Sequence, residues 1–297
     1  MAINELKVEN IPGLKKLEVH TRQNVLNKAL EGNWMASFKG RGMEFAGYRK
    51  YTFGDDASAI DWKASLKSKQ TLVKEYEEER TLNVLLLVDV SNSMLFSSTG
   101  KLKAEYAAEL VASLSFAILS CGDAVGMSMF TDRLVTKSQP NIGKTVYYML
   151  IRDILNTKNY GGMFSFKVPV SHLLAILDRK SIIIIISDFI GMEKNWAHIL
   201  ATAAGQHEII AIMIRDPRDR ELPKDIAQYI VEDPYTGEKL YIDTKKFGKK
   251  YAEYARKDEE AIEHEFKKRK CDFLKLYTDQ DYFNPIIAFF RKRSVSQ

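Results

Sequence analysis

The chain has 297 residues, of which 45% are hydrophobic and 28% are charged, and it carries a formal net charge of +5. These values are ordinary for a globular protein with a sizeable core, and the length allows one large domain or two smaller ones. Apolar stretches such as Ile182 to Ile186 are far shorter than the roughly 20 residues of a membrane helix, so no membrane span is predicted.

The start of the chain, its cysteines and its charge pattern suggest a compartment and exclude one class of partner. The first residues contain acids and no apolar core, which argues against a secretory signal. Cys121 and Cys271 have neither metal-ligand nor disulfide spacing, so we expect buried thiols and a cytoplasmic protein. Residues 241–297 hold 14 basic and 10 acidic side chains in an interleaved pattern. This pattern is typical of a solvated helix face, and nucleic-acid binding is not predicted.

The amino-terminal part of the chain predicts short elements separated by turns. It begins with a partly extended segment that turns at Pro12-Gly13. A helix is then predicted to begin at Thr21 and to end at Gly32. Gly40 and Gly42 follow in a stretch that lacks the strand, the helix and the lysine-hydroxyl pair of a phosphate-binding loop. We expect turns here that lay the segment across the main domain.

A short helical piece is predicted at residues 57–67, after two acids that suit its amino-terminal dipole. Its apolar side chains Ile60, Trp62 and Leu66 are predicted to pack, and a functional acidic cluster is the alternative interpretation. An edge strand, Leu72 to Glu79, comes next. Its acidic end is expected to face water and to discourage pairing with another strand.

From residue 84 onward, strands and helices alternate, which is typical of a doubly wound α/β sheet. Val84 to Val88 and Ile182 to Ile186 have no polar alternation and are predicted to be central strands covered on both faces. Further strands are predicted at 124–131, 134–137, 208–215, 226–231, 239–243 and 273–278. A turn is predicted at residues 234–237, between two of these strands. Helices are predicted at 101–120, 145–155, 172–177, 196–205, 245–270 and 286–290. In the helix at 245–270, the predicted buried positions are Phe247, Tyr251, Tyr254 and Phe266.

The two central strands end in oxygen-bearing side chains. Asp89, Ser91 and Ser93 follow the first strand, and Ser187 and Asp188 follow the second. Ligands of open α/β sheets bind beyond the carboxyl ends of the strands, where the two aspartates would meet if the strands are neighbours. Two unit charges roughly 4 Å apart repel by about 4 kcal/mol at an effective dielectric of about 20, a cost that a bound cation would remove. We therefore predict a site for a hard divalent cation at this edge of the sheet.

Three upstream stretches and the spacing of the strand-end residues resemble known families. The stretches are KGRGMEF (Lys39 to Phe45), YRKYTFGDDASAIDWKAS (Tyr48 to Ser65) and LVKEYEEER (Leu72 to Arg80). They resemble the family called domain of unknown function 58, and the spacing resembles the metal-ion-dependent adhesion site of von Willebrand factor A domains. The resemblance covers roughly residues 15–245. It implies a leader at 1–80 packed on a von Willebrand factor A-like domain at 81–297.

The same resemblance implies a set of metal ligands, with one departure. In that family a third loop tends to add a threonine hydroxyl directly after a double glycine, but here Gly161 and Gly162 are followed by Met163. Ser165, two residues later, is the remaining candidate ligand from this loop. The alternatives are a water molecule in that position, since Mg²⁺ readily keeps several waters, or the loss of metal binding.

The resemblance also implies a function. In von Willebrand factor A domains the serines ligate Mg²⁺, and a free coordination position accepts a carboxylate from a partner protein. We therefore predict a non-enzymatic module that depends on Mg²⁺ or Mn²⁺ and works with a MoxR-type AAA+ ATPase in assembly, chaperone or stress functions. A metal-free scaffold and a metal-dependent phosphohydrolase are the alternatives. The hydrolase is disfavoured because Ser91 stands where its general acid would be, and the five histidines have no catalytic or ligand spacing.

Overall fold

A computed structural model describes residues 21–38, 44–77, 81–177, 179–223 and 228–295. Three of the predictions above lie outside these ranges. They concern the extended start with its turn at Pro12-Gly13, the turns at Gly40 and Gly42, and the exposure of Glu78 and Glu79.

Ten strands and nine helices make up the described part of the chain. The strands are β1 (Glu44–Lys50), β2 (Leu72–Glu77), β3 (Asn83–Asp89), β4 (Ala124–Phe130), β5 (Leu134–Lys137), β6 (Ile182–Ser187), β7 (Glu208–Arg215), β8 (Gln228–Glu232), β9 (Lys239–Asp243) and β10 (Asp272–Tyr277). The helices are α1 (Thr21–Phe38), α2 (Trp62–Ser68), α3 (Lys103–Ser120), α4 (Lys144–Leu155), α5 (Lys167–Ile176), α6 (Trp196–Gln206), α7 (Pro217–Arg220), α8 (Thr244–Lys268) and α9 (Phe283–Val295).

A six-stranded sheet in the order β10-β7-β6-β3-β4-β5 forms the centre of the molecule. Its strands are parallel except for β5, which pairs antiparallel with β4. This arrangement confirms the predicted mainly parallel, doubly wound α/β fold. The central strands β3 and β6 are neighbours, and Val88 pairs with Ile186. The carboxyl ends of these two strands therefore lie side by side.

Helices cover both faces of the sheet, and alternate residues of β3 point to opposite cores. Val84 and Leu86 join a core formed with helices α1, α3, α4 and α9. Leu85 and Leu87 join a second core formed with α5, α6 and α8. Because both faces of the strand are buried, an uninterrupted apolar run is what this position requires.

Helix α1 does not end at Gly32 as predicted but continues to Phe38. Leu30, Trp34 and Phe38 recur at four-residue steps and are buried. The ring centroids of Trp34 and Phe290 lie 5.3 Å apart, so helix α9 covers this face of α1. A glycine inside a helix costs about 1 kcal/mol relative to alanine, and the burial of these side chains outweighs that cost.

Two predictions of buried aromatic and aliphatic side chains were wrong. Trp62 and Leu66 on α2 are 67% and 81% exposed, and Phe247 and Tyr254 on α8 are 52% and 77% exposed. Three of the four buried residues of helix α8, namely Glu259, Ile262 and Phe266, lie toward its carboxyl end, where Ile262 and Phe266 join the second core. Apolar periodicity identifies a helix face but cannot show how far along the helix another element covers it.

The remaining sequence predictions about membranes and cysteines can be compared directly with the structure. Among the described helices, none combines the length and the apolar character needed to cross a membrane. Of the two cysteines, Cys271 is buried and Cys121 is partly buried.

Candidate metal centre

Asp89 and Ser187 meet at the carboxyl ends of β3 and β6. Each is the last residue of its strand, and the pairing of Val88 with Ile186 places them next to each other. The Ser187 hydroxyl donates a hydrogen bond of 2.6 Å to Asp89 Oδ2. Both side chains are 0% exposed. The predicted convergence of the two strand ends is therefore present in the structure.

The loop after β3 brings two serine hydroxyls to the same place. The backbone N–H of Ser91 donates to Asp89 Oδ1 over 2.9 Å, which fixes the carboxylate relative to the loop. A single 3-10 turn, Asn92–Leu95, then carries Ser93, and its hydroxyl oxygen lies 3.2 Å from that of Ser91. Both serines are buried. Asp89, Ser91 and Ser93 thus form one cluster of oxygen atoms, which we call the strand-end cluster.

Asp188 is held by partners of its own. Its Oδ1 atom accepts a hydrogen bond from the Ile190 N–H over 2.9 Å, and its Oδ2 atom accepts one from Lys103 Nζ over 2.7 Å. Lys103 lies on the first turn of α3 and also donates to Asp219 Oδ2 over 2.9 Å. Burial lowers the pKa of Lys103, but the two carboxylates outweigh burial and raise it, so the ammonium stays charged.

Asp89 has a different electrostatic environment. Burial raises its pKa well above the ordinary value, and the nearby Asp188 carboxylate raises it further, whereas the hydrogen bonds from Ser187 and Ser91 lower it. Within the described ranges, no lysine or arginine forms an ion pair with Asp89. A buried carboxylate without a cation is costly, and either a proton or a bound cation would remove that cost.

The tip of the β8–β9 hairpin lies against the strand-end cluster. The Tyr235 hydroxyl oxygen is 3.4 Å from Ser91 Oγ, and its proton can be donated to Ser93 Oγ or to the Ile190 carbonyl, each 3.1 Å away. Asn92 joins the loops: its amide nitrogen donates to Pro234 O over 3.0 Å. The hairpin is therefore tied to the loop after β3 at two points.

Asn92 also holds the double-glycine loop. Its Oδ1 atom accepts a hydrogen bond from the Gly162 N–H over 2.9 Å, and its backbone N–H donates to Gly162 O over 3.0 Å. Ser165, the candidate ligand from this loop, instead donates to Glu193 Oε1 over 2.6 Å. The structure does not bring Ser165 into the strand-end cluster, and Met163 is 48% exposed. The double-glycine loop therefore lies beside the site, but its predicted ligand, Ser165, is hydrogen-bonded to Glu193.

The donor atoms of the cluster fit a hard divalent cation in chemistry and in spacing. Mg²⁺ binds oxygen ligands at about 2.0–2.1 Å in octahedral geometry, so neighbouring ligand oxygens lie about 3 Å apart. The 3.2 Å between Ser91 Oγ and Ser93 Oγ is compatible with that spacing. Across the described part of the chain, no group of three or more His, Cys, Asp or Glu side chains could hold a metal. Hydroxyl groups would therefore have to supply much of the ligand set around Asp89.

Three residues that matter to this site were missed by the sequence analysis. Lys103 lies on a predicted helix, and the apolar periodicity of that helix says nothing about its polar residues. Asn92 lies between the two predicted serine ligands and was given no role. Tyr235 belongs to a segment predicted as a turn between two strands. The turn was the one available signal, because loops that connect strands often carry binding residues.

The strand order and the helices on both faces of the sheet define a doubly wound, mainly parallel α/β protein with polar side chains at the carboxyl ends of its central strands. The family model "Protein of unknown function DUF58" matches residues 47–261, and the chain belongs to that family. The resemblance drawn from the three upstream stretches is thereby confirmed.

Similar proteins include an uncharacterized protein of Mycobacterium tuberculosis, which is 27% identical over 284 residues, covering 94% of this chain and 88% of that protein. Among solved structures, the conserved hypothetical protein BatB from Bacteroides thetaiotaomicron has a TM-score of 0.47 and 15% identity over 72% of this chain and 99% of its own. A von Willebrand factor type A structure from Catenulispora acidiphila has a TM-score of 0.34 and 10% identity over 74% of this chain and 43% of its own.

Proposed function

We propose that this chain is a non-enzymatic protein-interaction module that binds an acidic side chain of a partner. This binding depends on Mg²⁺ or Mn²⁺ held in the strand-end cluster. The observation that carries the proposal is the environment of Asp89. Its carboxylate is fully buried beside two serine hydroxyls, and no cationic side chain of the described residues pairs with it. We expect Asp89, Ser91 and Ser93 to hold the cation, with Asp188 beside them.

The chain's own residues would prepare this site for one more anion. Ser187 and the Ser91 N–H orient the Asp89 carboxylate, and Lys103 neutralises Asp188. A bound divalent cation would supply a coordination position that a partner's Asp or Glu can fill. Asp89 would be the one carboxylate near the cation that no lysine neutralises. A divalent cation bound there would keep a net positive charge, which favours an acidic partner.

The proposal excludes catalysis by a serine nucleophile at this place. Such a nucleophile needs a general base within hydrogen-bonding reach, usually a histidine. In the described portion, no histidine is hydrogen-bonded to Ser91, Ser93 or Ser187. His207, which is buried, accepts a hydrogen bond from the Ser181 N–H at the opposite end of β6.

The proposed partner is a MoxR-type AAA+ ATPase, and the module would act with it in the cytoplasm in assembly, chaperone or stress functions. Membership of the family and the resemblance of residues 48–65 to its characteristic segment support this choice. The test is binding of the purified ATPase from the same organism to the full chain, in Mg²⁺ and in chelator. Binding that requires both Mg²⁺ and Asp89 supports the proposal, and no binding in either condition rejects this partner.

The metal requirement is tested separately by thermal unfolding of the chain alone. A ligand present at about one hundred times its dissociation constant adds about 2.7 kcal/mol to stability. We expect Mg²⁺ or Mn²⁺ to raise the melting temperature of the wild type and to leave that of Asp89→Asn unchanged. The absence of any shift in the wild type would reject the metal-dependent proposal.

A metal-free interaction scaffold is the second candidate, and the ion pair between Lys103 and Asp188 favours it. The ammonium group is 2.7 Å from the carboxylate and already supplies a positive charge at the strand ends. This candidate predicts that partner binding is the same in chelator and in Mg²⁺ and survives the Asp89→Asn substitution.

A further inference from the structure

A third hydroxyl group lies against the strand-end cluster and comes from none of the three loops predicted to form the site. Tyr235 reaches it from the tip of the β8–β9 hairpin, more than 140 residues further along the chain than Ser91. We propose that Tyr235 is a ligand of the divalent cation and takes the place of the threonine that the third loop of this chain lacks. This inference rests on the proposed function, because it assumes that the cluster binds a cation.

The spacing of the three hydroxyl oxygens supports a shared ligand set. The oxygen of Ser91 lies 3.2 Å from that of Ser93 and 3.4 Å from that of Tyr235, and the Ser93–Tyr235 separation is 3.1 Å. The three atoms thus form a nearly equilateral triangle. One face of an octahedron of oxygen ligands around Mg²⁺ is a triangle with edges of about 3 Å, and a slightly larger ion has longer edges.

The Tyr235 hydroxyl has two acceptors within reach of its single proton, Ser93 Oγ and the Ile190 carbonyl, each 3.1 Å away. A phenol has one proton to donate, and the Ile190 carbonyl, 3.1 Å away, can only accept. If the proton is donated there, the tyrosine oxygen presents only acceptor capacity to Ser91 and Ser93. Three hydroxyl oxygens whose lone pairs converge, next to the buried Asp89 carboxylate, are suited to a hard cation.

The hairpin tip is built to hold Tyr235 in this position. Asp233 Oδ1 accepts hydrogen bonds from the N–H groups of Tyr235 and Thr236, at 2.8 Å and 2.9 Å. The aromatic ring lies against Gly191, where an added Cβ would be 3.3 Å from a ring carbon and the backbone φ is +89°. The ring is therefore closely packed against the backbone at Gly191, and loss of the hydroxyl alone should not displace it.

Binding of Mn²⁺ alone to four versions of the full chain, followed by calorimetry and by electron paramagnetic resonance, tests this inference. We expect Tyr235→Phe to weaken Mn²⁺ binding by about 10-fold or more, in the range found when groups supporting a metal site are removed. Tyr241→Phe is the matched control on the same hairpin, 76% exposed, and should bind like the wild type. Asp89→Asn should bind no Mn²⁺.

The outcomes distinguish a failure of this inference from a failure of the proposed function. Asp89→Asn could lose Mn²⁺ binding while Tyr235→Phe binds Mn²⁺ as tightly as the wild type, or more tightly. In that case Tyr235 packs over the site without being a ligand, and the proposed cation site stands. If the wild type binds no Mn²⁺, both proposals fall. Unfolding in chelator checks that Tyr235→Phe remains folded.

A second measurement reports position and does not depend on affinity. In protein labelled with 3-fluorotyrosine, Mn²⁺ should broaden the fluorine resonance that is missing from Tyr235→Phe, because paramagnetic broadening falls steeply with distance. The resonance of the exposed Tyr241 serves as the reference. A sharp Tyr235 resonance in the presence of bound Mn²⁺ would overturn the assignment even if the substitution changed the affinity.

Discussion

The ammonium group of Lys103 lies 2.7 Å from the carboxylate of Asp188, and the two side chains are 1% and 0% exposed. Asp219 completes the arrangement at 2.9 Å from the same nitrogen. Of the two aspartates at the strand ends, one is therefore neutralised by the protein itself and the other, Asp89, is not. This difference makes Asp89 the residue on which a cation would act.

We predict that Lys103→Met is strongly destabilising. The substitution would leave Asp188 buried without a counterion, and breaking a buried pair in this way costs about 3–5 kcal/mol. Urea unfolding in chelator measures the loss. The control is Lys101→Met, because Lys101 pairs with Glu109 at the partly exposed start of α3 and should cost less than about 1 kcal/mol.

The same variant also informs on the cation site. If Asp188 becomes available once Lys103 is gone, Mn²⁺ should restore part of the lost stability. A Lys103→Met protein as stable as the wild type would contradict the electrostatic interpretation of the buried pair.

Asp89→Asn should be at least as stable as the wild type in chelator near neutral pH. The folded-state pKa of Asp89 is raised, so its contribution favours folding at low pH and is lost as the pH rises above the ordinary value of 3.8. Removing the buried charge should therefore add on the order of 1–2 kcal/mol at pH 7. Urea unfolding at pH 7 tests this, and a loss of stability in chelator would contradict it.

Gly126→Ala should severely destabilise the sheet. A Cβ atom at this position of β4 would lie 2.5 Å from the backbone oxygen of Ser138 and 2.6 Å from the nitrogen of Pro140. These are backbone atoms and cannot swing aside, so we expect a loss of about 2–4 kcal/mol or failure to fold, measured by thermal unfolding.

The control for Gly126 is Gly32→Ala. Gly32 lies inside α1 with no heavy atom within 4 Å of an added Cβ. This substitution should stabilise the protein by about 0.5–1 kcal/mol, because alanine is the better helix former. A destabilised Gly32→Ala protein would contradict the continuous helix.

The contribution of His207 to stability should fall as the pH decreases below about 6.5. Burial lowers the pKa of His207 below the ordinary 6.5, so below that pH the unfolded chain binds a proton that the folded chain does not. The neutral ring accepts a hydrogen bond from the Ser181 N–H at 3.3 Å, which protonation of Nδ1 would remove.

This contribution is best measured as a difference between proteins, since Asp89 acts in the opposite direction. The stability of His207→Gln relative to the wild type should improve from pH 7 to pH 5, by at most about 1.4 kcal/mol per pH unit. His198→Gln, at an exposed position of α6, is the matched control. A constant difference between His207→Gln and the wild type across this range would contradict the prediction.

The sequence by itself determined the class of fold and the place of the candidate site. Uninterrupted apolar runs such as Val84 to Val88 require cover on both faces, and this requirement predicts the central strands whatever the rest of the chain does. Oxygen-bearing residues at the ends of such strands are likewise local in sequence. Asp89, Ser91 and Ser93 could be predicted for that reason.

Only the tertiary structure decided which other side chains reach these residues. Lys103 and Asp188 are 85 positions apart, and Ser91 and Tyr235 are 144 apart, so their meeting depends on the path of the whole chain. Burial also depends on distant residues. Helix α1 continues past Gly32 because α9 covers it, and Trp62 is exposed because no described element covers it. Periodicity records the preferences of neighbouring residues, whereas packing and electrostatic pairing are set by contacts between distant ones.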